Sequence, residues 1–236
     1  MGNLVTMDDL SNEDIVAVLD DAERLVPVAK GEIILPLLQG KVLANMFFEN
    51  STRTRMSFET AMKRLGGSVL NFSSVGTSVS KGETLYDTMQ MISGYADVAA
   101  IRHPRQGAAQ YSSDAVGIPI LNAGDGAGNH PTQTMLDLFT IRQAHESLDG
   151  LNVVLVGDLR YGRTAHSLSH ALVRFGASLT LVSPTSLKMP VEIVSDLRSH
   201  GADVTETESL NEQITGADVI YMTRIQKERF PDEEEY

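Results

Sequence analysis

Hydrophobic residues in this chain form short runs that alternate with longer mixed segments. Runs such as 41–48 (KVLANMFF) and 152–157 (NVVLVG) are apolar almost throughout, which is typical of strands buried on both faces of a parallel sheet. Segments such as 52–65 and 131–145 are long enough to be helices. Strands separated by helices indicate an α/β protein, and we expect parallel sheets flanked by helices.

The alternation continues along most of the chain. Strands are predicted at 41–48, 68–72, 97–102, 118–122, 152–157, 178–182, 203–205 and 218–222. Helices are predicted from Ser11 onward and at 52–65, 83–95, 107–116, 131–145, 163–175, 191–200 and 210–214. Residues 73–82, rich in Ser and Gly, predict a mobile loop. One long helix separates two strand–helix series, so two domains are expected: residues 1–130 and 151–236, joined by a linking helix at 131–150.

Composition and charge exclude several classes of protein. The chain has 236 residues, a formal net charge of -12 and no cysteine, which excludes disulfides and thiolate metal sites. The negative charge disfavours nucleic acid as a partner. No apolar run is long enough to span a bilayer, and the acidic N-terminal segment does not resemble a signal peptide. We therefore expect a cytoplasmic protein without membrane contact.

The strongest candidate site is the segment Ser51-Thr52-Arg53-Thr54-Arg55, directly after the first predicted strand. Ser51 can cap the following helix, whose first N–H groups then face outward at the positive end of the helix dipole. Two arginines in a first turn oppose that dipole, so a purely structural role is disfavoured. Phosphate is the natural ligand of such a site.

Two further motifs lie at the ends of later strands. Arg102-His103-Pro104 ends one strand, where a charged residue is placed either for a ligand or for solvent. His130 and Gln133 follow a Gly-rich turn, and Pro131 suits the first position of a helix. His130 is then the N-cap residue, and the helix dipole keeps its imidazole neutral and able to donate a hydrogen bond to a carbonyl. Gln133 is one turn further on.

A strand–turn–helix at 156–164 (VGDLRYGRT) superficially resembles a dinucleotide site. It lacks the third glycine of that motif, and the next strand has no acidic residue for a ribose. We therefore expect Arg163, at the helix start, to contact an anion instead. Arg224 and Gln226 alternate after the last strand, so both point to one side if that segment is extended.

Six arginines thus gather at strand ends or helix starts in a strongly acidic chain: Arg53, Arg55, Arg102, Arg163, Arg224 and Arg229. An anionic ligand carrying phosphate and carboxylates explains this clustering best.

These motifs resemble those of the aspartate and ornithine carbamoyltransferases. FFENSTRTRMSFE is similar to the carbamoyl phosphate signature that both branches share. SKGET, RHP, NAGDGAGNHPTQTMLDLFTI, VGDLRYGRT and YMTRIQKER resemble the aspartate branch, in register from about residue 41 to 229. The resemblance implies transfer of the carbamoyl group of carbamoyl phosphate to the α-amine of L-aspartate, giving N-carbamoyl-L-aspartate and phosphate in de novo pyrimidine biosynthesis.

The resemblance also implies a role for each matching residue. The phosphate is bound by Ser51, Thr52, Arg53 and Thr54. The carbamoyl group is surrounded by Thr54, Arg102, His130 and Gln133. The aspartate carboxylates are held by Arg163, Arg224 and Gln226. Ser78 and Lys81 reach into the site of a neighbouring subunit, so a homotrimer with shared sites is implied. No metal or organic cofactor is implied, and the resemblance leaves regulatory chains open as further partners, since some relatives have them.

On this resemblance, residues 1–130 bind carbamoyl phosphate and residues 151–236 form an incomplete aspartate-binding domain. The family continues with a second signature, HPLPR, and a helix that returns to the first domain, neither of which occurs here. We therefore expect a fragment or a truncated form. Two other hypotheses remain open: a dehydrogenase-like nucleotide binder, which titration with NAD would test, and a non-catalytic scaffold, which an activity assay would test.

Overall fold

The computed structural model describes residues 2–73, 77–126 and 128–224. Its helices are α1 (Asn12–Lys30), α2 (Thr52–Arg64), α3 (Leu85–Ser93), α4 (Ala108–Ala115), α5 (Pro131–His145), α6 (Arg163–Val173) and α7 (Val191–Ser199). Its strands are β1 (Val42–Phe47), β2 (Ser68–Ser73), β3 (Val98–His103), β4 (Ile120–Asp125), β5 (Asn152–Val156), β6 (Ser178–Val182), β7 (Val204–Thr207) and β8 (Val219–Met222). Short 3-10 helices lie at Met7–Asp9, Ser78–Lys81 and Thr185–Leu187.

The strands form two parallel four-stranded sheets, as the alternation of strands and helices predicted. The first sheet has the order β2-β1-β3-β4 and the second has the order β7-β6-β5-β8. Neighbouring strands pair in parallel in both sheets. The central strands are apolar because helices cover them: Met46 of β1 and Ile101 of β3 are almost completely buried, as are Val153 and Leu155 of β5. The predicted fold class is therefore confirmed.

Each sheet has a topological switch point, called a reversal point below, at which successive strands are added on the opposite side of the starting strand. In the first sheet, β1 connects outward to β2, whereas β3 continues to β4 on the other side. In the second sheet, β5 leads to β6 and β7, whereas β8 pairs with the opposite edge of β5. The loops that follow the two strands at such a point diverge and leave a crevice at the carboxyl edge of the sheet, where ligands bind in this class of fold.

The chain divides into two compact units, residues 1–135 and 136–236, with the boundary inside α5. Each unit contains one of the two sheets. The finer division into residues 1–130, a linking helix at 131–150 and residues 151–236 stays a prediction. Among the residues described, no helix is both long enough and apolar enough to cross a membrane.

Two sequence-based expectations differ from the structure. The helix predicted at 210–214 is wrong: this segment forms turns, with short-range hydrogen bonds from Gln213 N to Leu210 O and from Ala217 N to Ile214 O. Five residues form too few hydrogen bonds to offset the cost of helix nucleation. The loop predicted at 73–82 contains the 3-10 helix Ser78–Lys81, which ends at Gly82 with a φ of 97°. Residues 74–76 of that loop lie outside the described residues.

Candidate functional site

The predicted phosphate site lies at the start of α2, immediately beyond the carboxyl end of β1. Thr52, Arg53 and Thr54 occupy the first turn, where backbone N–H groups have no partner within the helix. Arg53 and Arg55 are exposed. There is no acidic side chain in this first turn, so the positive end of the helix dipole and the guanidinium groups act together. This arrangement attracts an anion.

Ser51 occupies the N-cap position but does not cap the helix, contrary to the prediction. Its hydroxyl makes no capping hydrogen bond. Ser11, which does cap α1, has φ -69° and ψ 169°, whereas Ser51 has φ -155° and ψ 111°. The two serines thus share an N-cap position and an extended backbone, but only Ser11 makes the capping hydrogen bond. The N–H groups at the start of α2 are therefore not satisfied by Ser51, which favours binding of an external acceptor.

Arg102 lies near the end of β3, the strand beside β1 in the sheet. Its side chain is only 14% exposed and forms an ion pair with Glu49, with Nε 2.7 Å from Oε1. A second nitrogen, Nη1, donates to the carbonyl oxygen of Ala123 at 3.3 Å. The two contacts fix the guanidinium on the first sheet's carboxyl edge, at the reversal point between β1 and β3.

His103 follows Arg102 and is held as a neutral ring. The backbone N–H of Arg105 donates to His103 Nδ1 at 3.0 Å, and the ring packs on Phe48 with centroids 5.0 Å apart. Burial lowers the pKa of His103, and the positive charge of Arg105 lowers it further. His103 therefore adds no positive charge to the edge of the sheet near pH 7.

His130 precedes α5, which begins at Pro131 as predicted. The imidazole is only 4% exposed, and its Nδ1 accepts the backbone N–H of Gln133 at 3.3 Å. An accepting Nδ1 carries no proton, so the ring proton is on Nε2. The imidazole thus acts as the helix cap, and its Nε2–H is the group that can donate to a carbonyl oxygen. This is the neutral form expected from the sequence.

Asp125 organises the Gly-rich turn before His130. Its carboxylate is 4% exposed and accepts hydrogen bonds from Gly107 N at 2.8 Å, Asn129 N at 2.8 Å and Asn122 Nδ2 at 3.2 Å. Gly126 has a φ of 53°, and a Cβ there would lie 2.8 Å from the backbone nitrogen of Gln106. Only glycine therefore allows this turn to pack against the loop that follows Arg102 and His103.

In the second unit, Arg163 is the first residue of α6, beyond the end of β5. The preceding turn is tightly held: Asp158 Oδ1 accepts the N–H of Tyr161 at 3.0 Å, and buried His166 bonds to the carbonyl oxygen of Leu159 at 2.7 Å. Gly162 is the N-cap residue and provides no side-chain cap. The structure thus places Arg163 at the start of a second helix whose N-cap residue makes no side-chain bond.

Arg224 follows β8, which pairs with β5. Thr223, just before it, is attached to Val156 of β5 by two hydrogen bonds, from its N–H at 2.7 Å and from its hydroxyl at 3.1 Å. Arg163 and Arg224 therefore follow adjacent strands at the reversal point of the second sheet. Gln226 and Arg229 lie outside the described residues.

The predicted loop residues Ser78 and Lys81 are exposed and lie beyond β2 on the 3-10 helix. They line an open cavity of about 490 Å³ together with Thr77, Ser80 and Glu83, and with Phe72 and Met91. Its lining thus combines three hydroxyl side chains, one cation and one carboxylate with two large apolar side chains.

Three residues in these clusters were missed by the sequence analysis: Glu49, Asp125 and Tyr221. Each lies within a motif quoted above in which only other members were given a role. A carboxylate beside the basic or polar members of these motifs was the available signal for Glu49 and Asp125.

Comparison with known proteins gives matches along nearly the whole chain. The family model "Aspartate/ornithine carbamoyltransferase, carbamoyl-P binding domain" matches residues 3–143, and "Aspartate/ornithine carbamoyltransferase, Asp/Orn binding domain" matches residues 149–236. The aspartate carbamoyltransferase catalytic subunit of Methanothermobacter thermautotrophicus is 55% identical over 235 residues, which are 99% of this chain and 75% of that protein.

Two solved structures have the same fold. The catalytic subunit of M. jannaschii aspartate transcarbamoylase is 49% identical with a TM-score of 0.93, covering 100% of this chain and 78% of that one. Trypanosoma cruzi aspartate transcarbamoylase, in complex with carbamoyl aspartate and phosphate, is 42% identical with a TM-score of 0.91, covering 98% of this chain and 77% of that one. Since the two family models together match nearly all of it, the chain belongs to the aspartate/ornithine carbamoyltransferase family.

Proposed function

We propose that this chain transfers the carbamoyl group of carbamoyl phosphate to the α-amine of L-aspartate, giving N-carbamoyl-L-aspartate and phosphate. The observation that carries the proposal is the start of α2, where Ser51 leaves the helix uncapped and Arg53 adds a positive charge. The similar Trypanosoma cruzi enzyme has been crystallised with carbamoyl aspartate and phosphate, which supports the same substrates here. The reaction would serve de novo pyrimidine biosynthesis.

The phosphate of the donor substrate would bind at the start of α2. The backbone N–H groups of Thr52, Arg53 and Thr54 donate to its oxygens, with the hydroxyls of Ser51 and Thr52 and the guanidinium of Arg53 as further donors. Hydrogen bonds from charged donors to phosphate are shorter and stronger than those between neutral groups, so the substrate would be held in one orientation.

The carbamoyl group would lie among Thr54, Arg102, His130 and Gln133. The neutral amine of aspartate attacks the carbamoyl carbon, the carbonyl oxygen becomes negative, and phosphate then leaves with the bonding electron pair. Arg102 and the Nε2–H of His130 would donate to that oxygen together with the Thr54 hydroxyl. Donors of this kind each lower the barrier by on the order of 3 kcal/mol. The departing phosphate can take the proton from the amine.

The carboxylates of aspartate would be bound by Arg163, Arg224 and Gln226. The first two follow adjacent strands, β5 and β8. Two guanidinium groups match the two carboxylates of aspartate, whereas ornithine would bring its side-chain ammonium against a cation. Electrostatic complementarity of this kind decides specificity more than overall affinity does.

Substrate choice tests the proposal directly. With saturating carbamoyl phosphate and the complete protein, we expect carbamoylaspartate to form from aspartate and no detectable citrulline to form from ornithine, because the ammonium would face a guanidinium. Both products can be measured in the same colorimetric assay for ureido groups. Faster citrulline formation would overturn the aspartate assignment, and absence of both products would overturn carbamoyl transfer itself.

We further infer that the active unit is a homotrimer in which Ser78 and Lys81 complete the site of a neighbouring subunit. Both residues are exposed and lie beyond the edge strand β2, away from the ends of β1 and β3, where the proposed phosphate- and carbamoyl-binding residues lie. A cation and a hydroxyl on this exposed 3-10 helix are available to a second chain. Their chemistry suits the phosphate of carbamoyl phosphate.

Mixing two inactive variants tests this arrangement. Lys81→Ala and Arg53→Ala chains, dissociated and reassociated together, are expected to recover activity because some hybrid sites receive an intact Arg53 from one chain and an intact Lys81 from the other. For random trimers, about a quarter of the sites would be intact. Each variant reassociated with itself is the control. Mixed trimers as inactive as the controls would show that each site is built from a single chain.

A further inference from the structure

Tyr221 lies on β8 and forms a hydrogen-bonded cluster within the second unit. Its hydroxyl donates to Asp137 Oδ2 on α5 at 3.0 Å, and the same hydroxyl is bonded to the side chain of Thr164 on α6. Burial raises the pKa of Tyr221 to about 12; the bond to Thr164 opposes the rise, while the charge of Asp137 and the hydrogen bond to it add to it. The phenol therefore keeps its proton, and its donation to Asp137, throughout the neutral range.

The cluster joins the two positions that carry the proposed aspartate-binding arginines. Thr164 directly follows Arg163 at the start of α6, and Tyr221 lies three residues before Arg224. Between Tyr221 and Arg224, Thr223 is attached to Val156 of β5 by two hydrogen bonds. A shift of the Tyr221 hydroxyl would thus be transmitted to Arg163 through the Thr164 side chain and to Arg224 through three residues of backbone.

Hydrogen bonds fix the orientation of the Tyr221 side chain more tightly than apolar packing of the ring alone would. A phenol bonded on one side to Thr164 and on the other to Asp137 has its ring direction set at both ends, because hydrogen bonds weaken steeply when they are bent. Asp137 is half-buried, so loss of the phenol would leave a partly desolvated carboxylate oxygen with one fewer donor. The hydroxyl therefore holds α5, α6 and β8 at fixed positions relative to one another where these elements meet at Tyr221.

We propose that Tyr221 is a positioning residue for the amino-acid substrate: through Thr164 and Asp137, its hydroxyl fixes the spacing between Arg163 and Arg224 and so matches it to a dicarboxylate. The inference rests on the proposed function and adds a specificity determinant that does not itself touch the substrate. The spacing of two guanidinium groups selects the chain length between two carboxylates. Loosening it lowers affinity for aspartate and weakens discrimination against glutamate, which is one methylene longer.

Tyr221→Phe tests the proposal, because it removes the hydroxyl and keeps the ring. In the complete protein, we expect the KM for aspartate to rise about tenfold, which is the size of effect that the loss of one well-placed hydrogen bond produces. We expect kcat and the KM for carbamoyl phosphate to change less than about twofold, since the α2 site lies in the other unit. The preference for aspartate over glutamate should fall. Tyr111→Phe, at an exposed tyrosine of α4, is the matched control.

A pair of substitutions at Asp137 separates positioning from folding. Asp137→Asn retains an acceptor for the phenol and is expected to keep the KM for aspartate near wild type, whereas Asp137→Ala is expected to raise it as Tyr221→Phe does. Equal KM values in both Asp137 variants and in wild type would overturn the inference. So would a Tyr221→Phe protein in which kcat and the melting temperature fall while the KM for carbamoyl phosphate rises, since that pattern indicates general damage to the fold. A wild-type protein without carbamoylaspartate formation would instead overturn the proposed function.

Discussion

Replacing Arg53 with alanine is expected to remove nearly all turnover, lowering kcat/KM for carbamoyl phosphate by a factor on the order of a thousand. The guanidinium lies in the first turn of α2, where Ser51 makes no cap and the helix dipole already favours an anion. Arg53 would be both a charged donor to the phosphate and a stabiliser of the negative charge that grows on the leaving group. Steady-state kinetics and calorimetric titration with inorganic phosphate measure the two effects separately.

Two variants control for charge and geometry at Arg53. Arg24→Ala removes an arginine from α1 that is highly exposed and forms an ion pair with Asp21 of the same helix, so its kinetics should match wild type. Arg53→Lys retains the charge and loses the forked donor, so it should recover part of the phosphate affinity but little of the turnover. Wild-type kinetics in Arg53→Ala would remove α2 from the proposed site.

Replacing Arg224 with alanine is expected to raise the KM for aspartate by a factor on the order of a hundred, with phosphate binding unchanged. Arg224 follows β8 next to the strand that leads to Arg163, so one carboxylate of the substrate would lose its charged partner. Removing one member of a charge pair at a binding site typically costs this much or more, because the other charge is left without a partner. Initial rates over a range of aspartate concentrations provide the measurement.

Lys188→Ala removes the same charge from an exposed position of the second unit and should leave the KM for aspartate at its wild-type value. This control excludes a general electrostatic effect on a protein that already has a net charge of -12. If phosphate affinity falls as much as aspartate affinity in Arg224→Ala, the assignment of Arg224 to the amino-acid substrate is wrong.

Most of the fold could be predicted because its signals are local. Buried parallel strands are continuous apolar runs, and Gly or Pro marks many of the helix ends, so the strand–helix order follows from the pattern. The segment at 210–214 was the exception. It has apolar residues at both ends but is too short for a stable helix, and only the surrounding structure decides the conformation of such a segment.

The basic motifs could also be found from the sequence, since Arg53, Arg102, His130 and Arg163 each lie at a predicted strand end or helix start. The tautomer of His130 could not be found in this way, because it depends on the hydrogen bond from the N–H of Gln133 to Nδ1. Only the three-dimensional structure shows that bond. The failure of Ser51 to cap α2 is likewise visible only in the three-dimensional structure, because its residue type favours capping.

The sequence by itself determined the order of elements, the class of fold and the positions of the basic groups predicted to bind anions, because periodicity, helix capping and charge act over a few neighbouring residues. Only the tertiary structure decided the strand order, and with it the two reversal points beside which these groups lie. It also decided the partners of the buried charges: Arg102 with Glu49, Asp125 with Gly107, and Tyr221 with Asp137. The partners in these three pairs are 53, 18 and 84 residues apart, respectively, and pairing at such separations is set by how sheets and helices pack, which local sequence patterns do not encode.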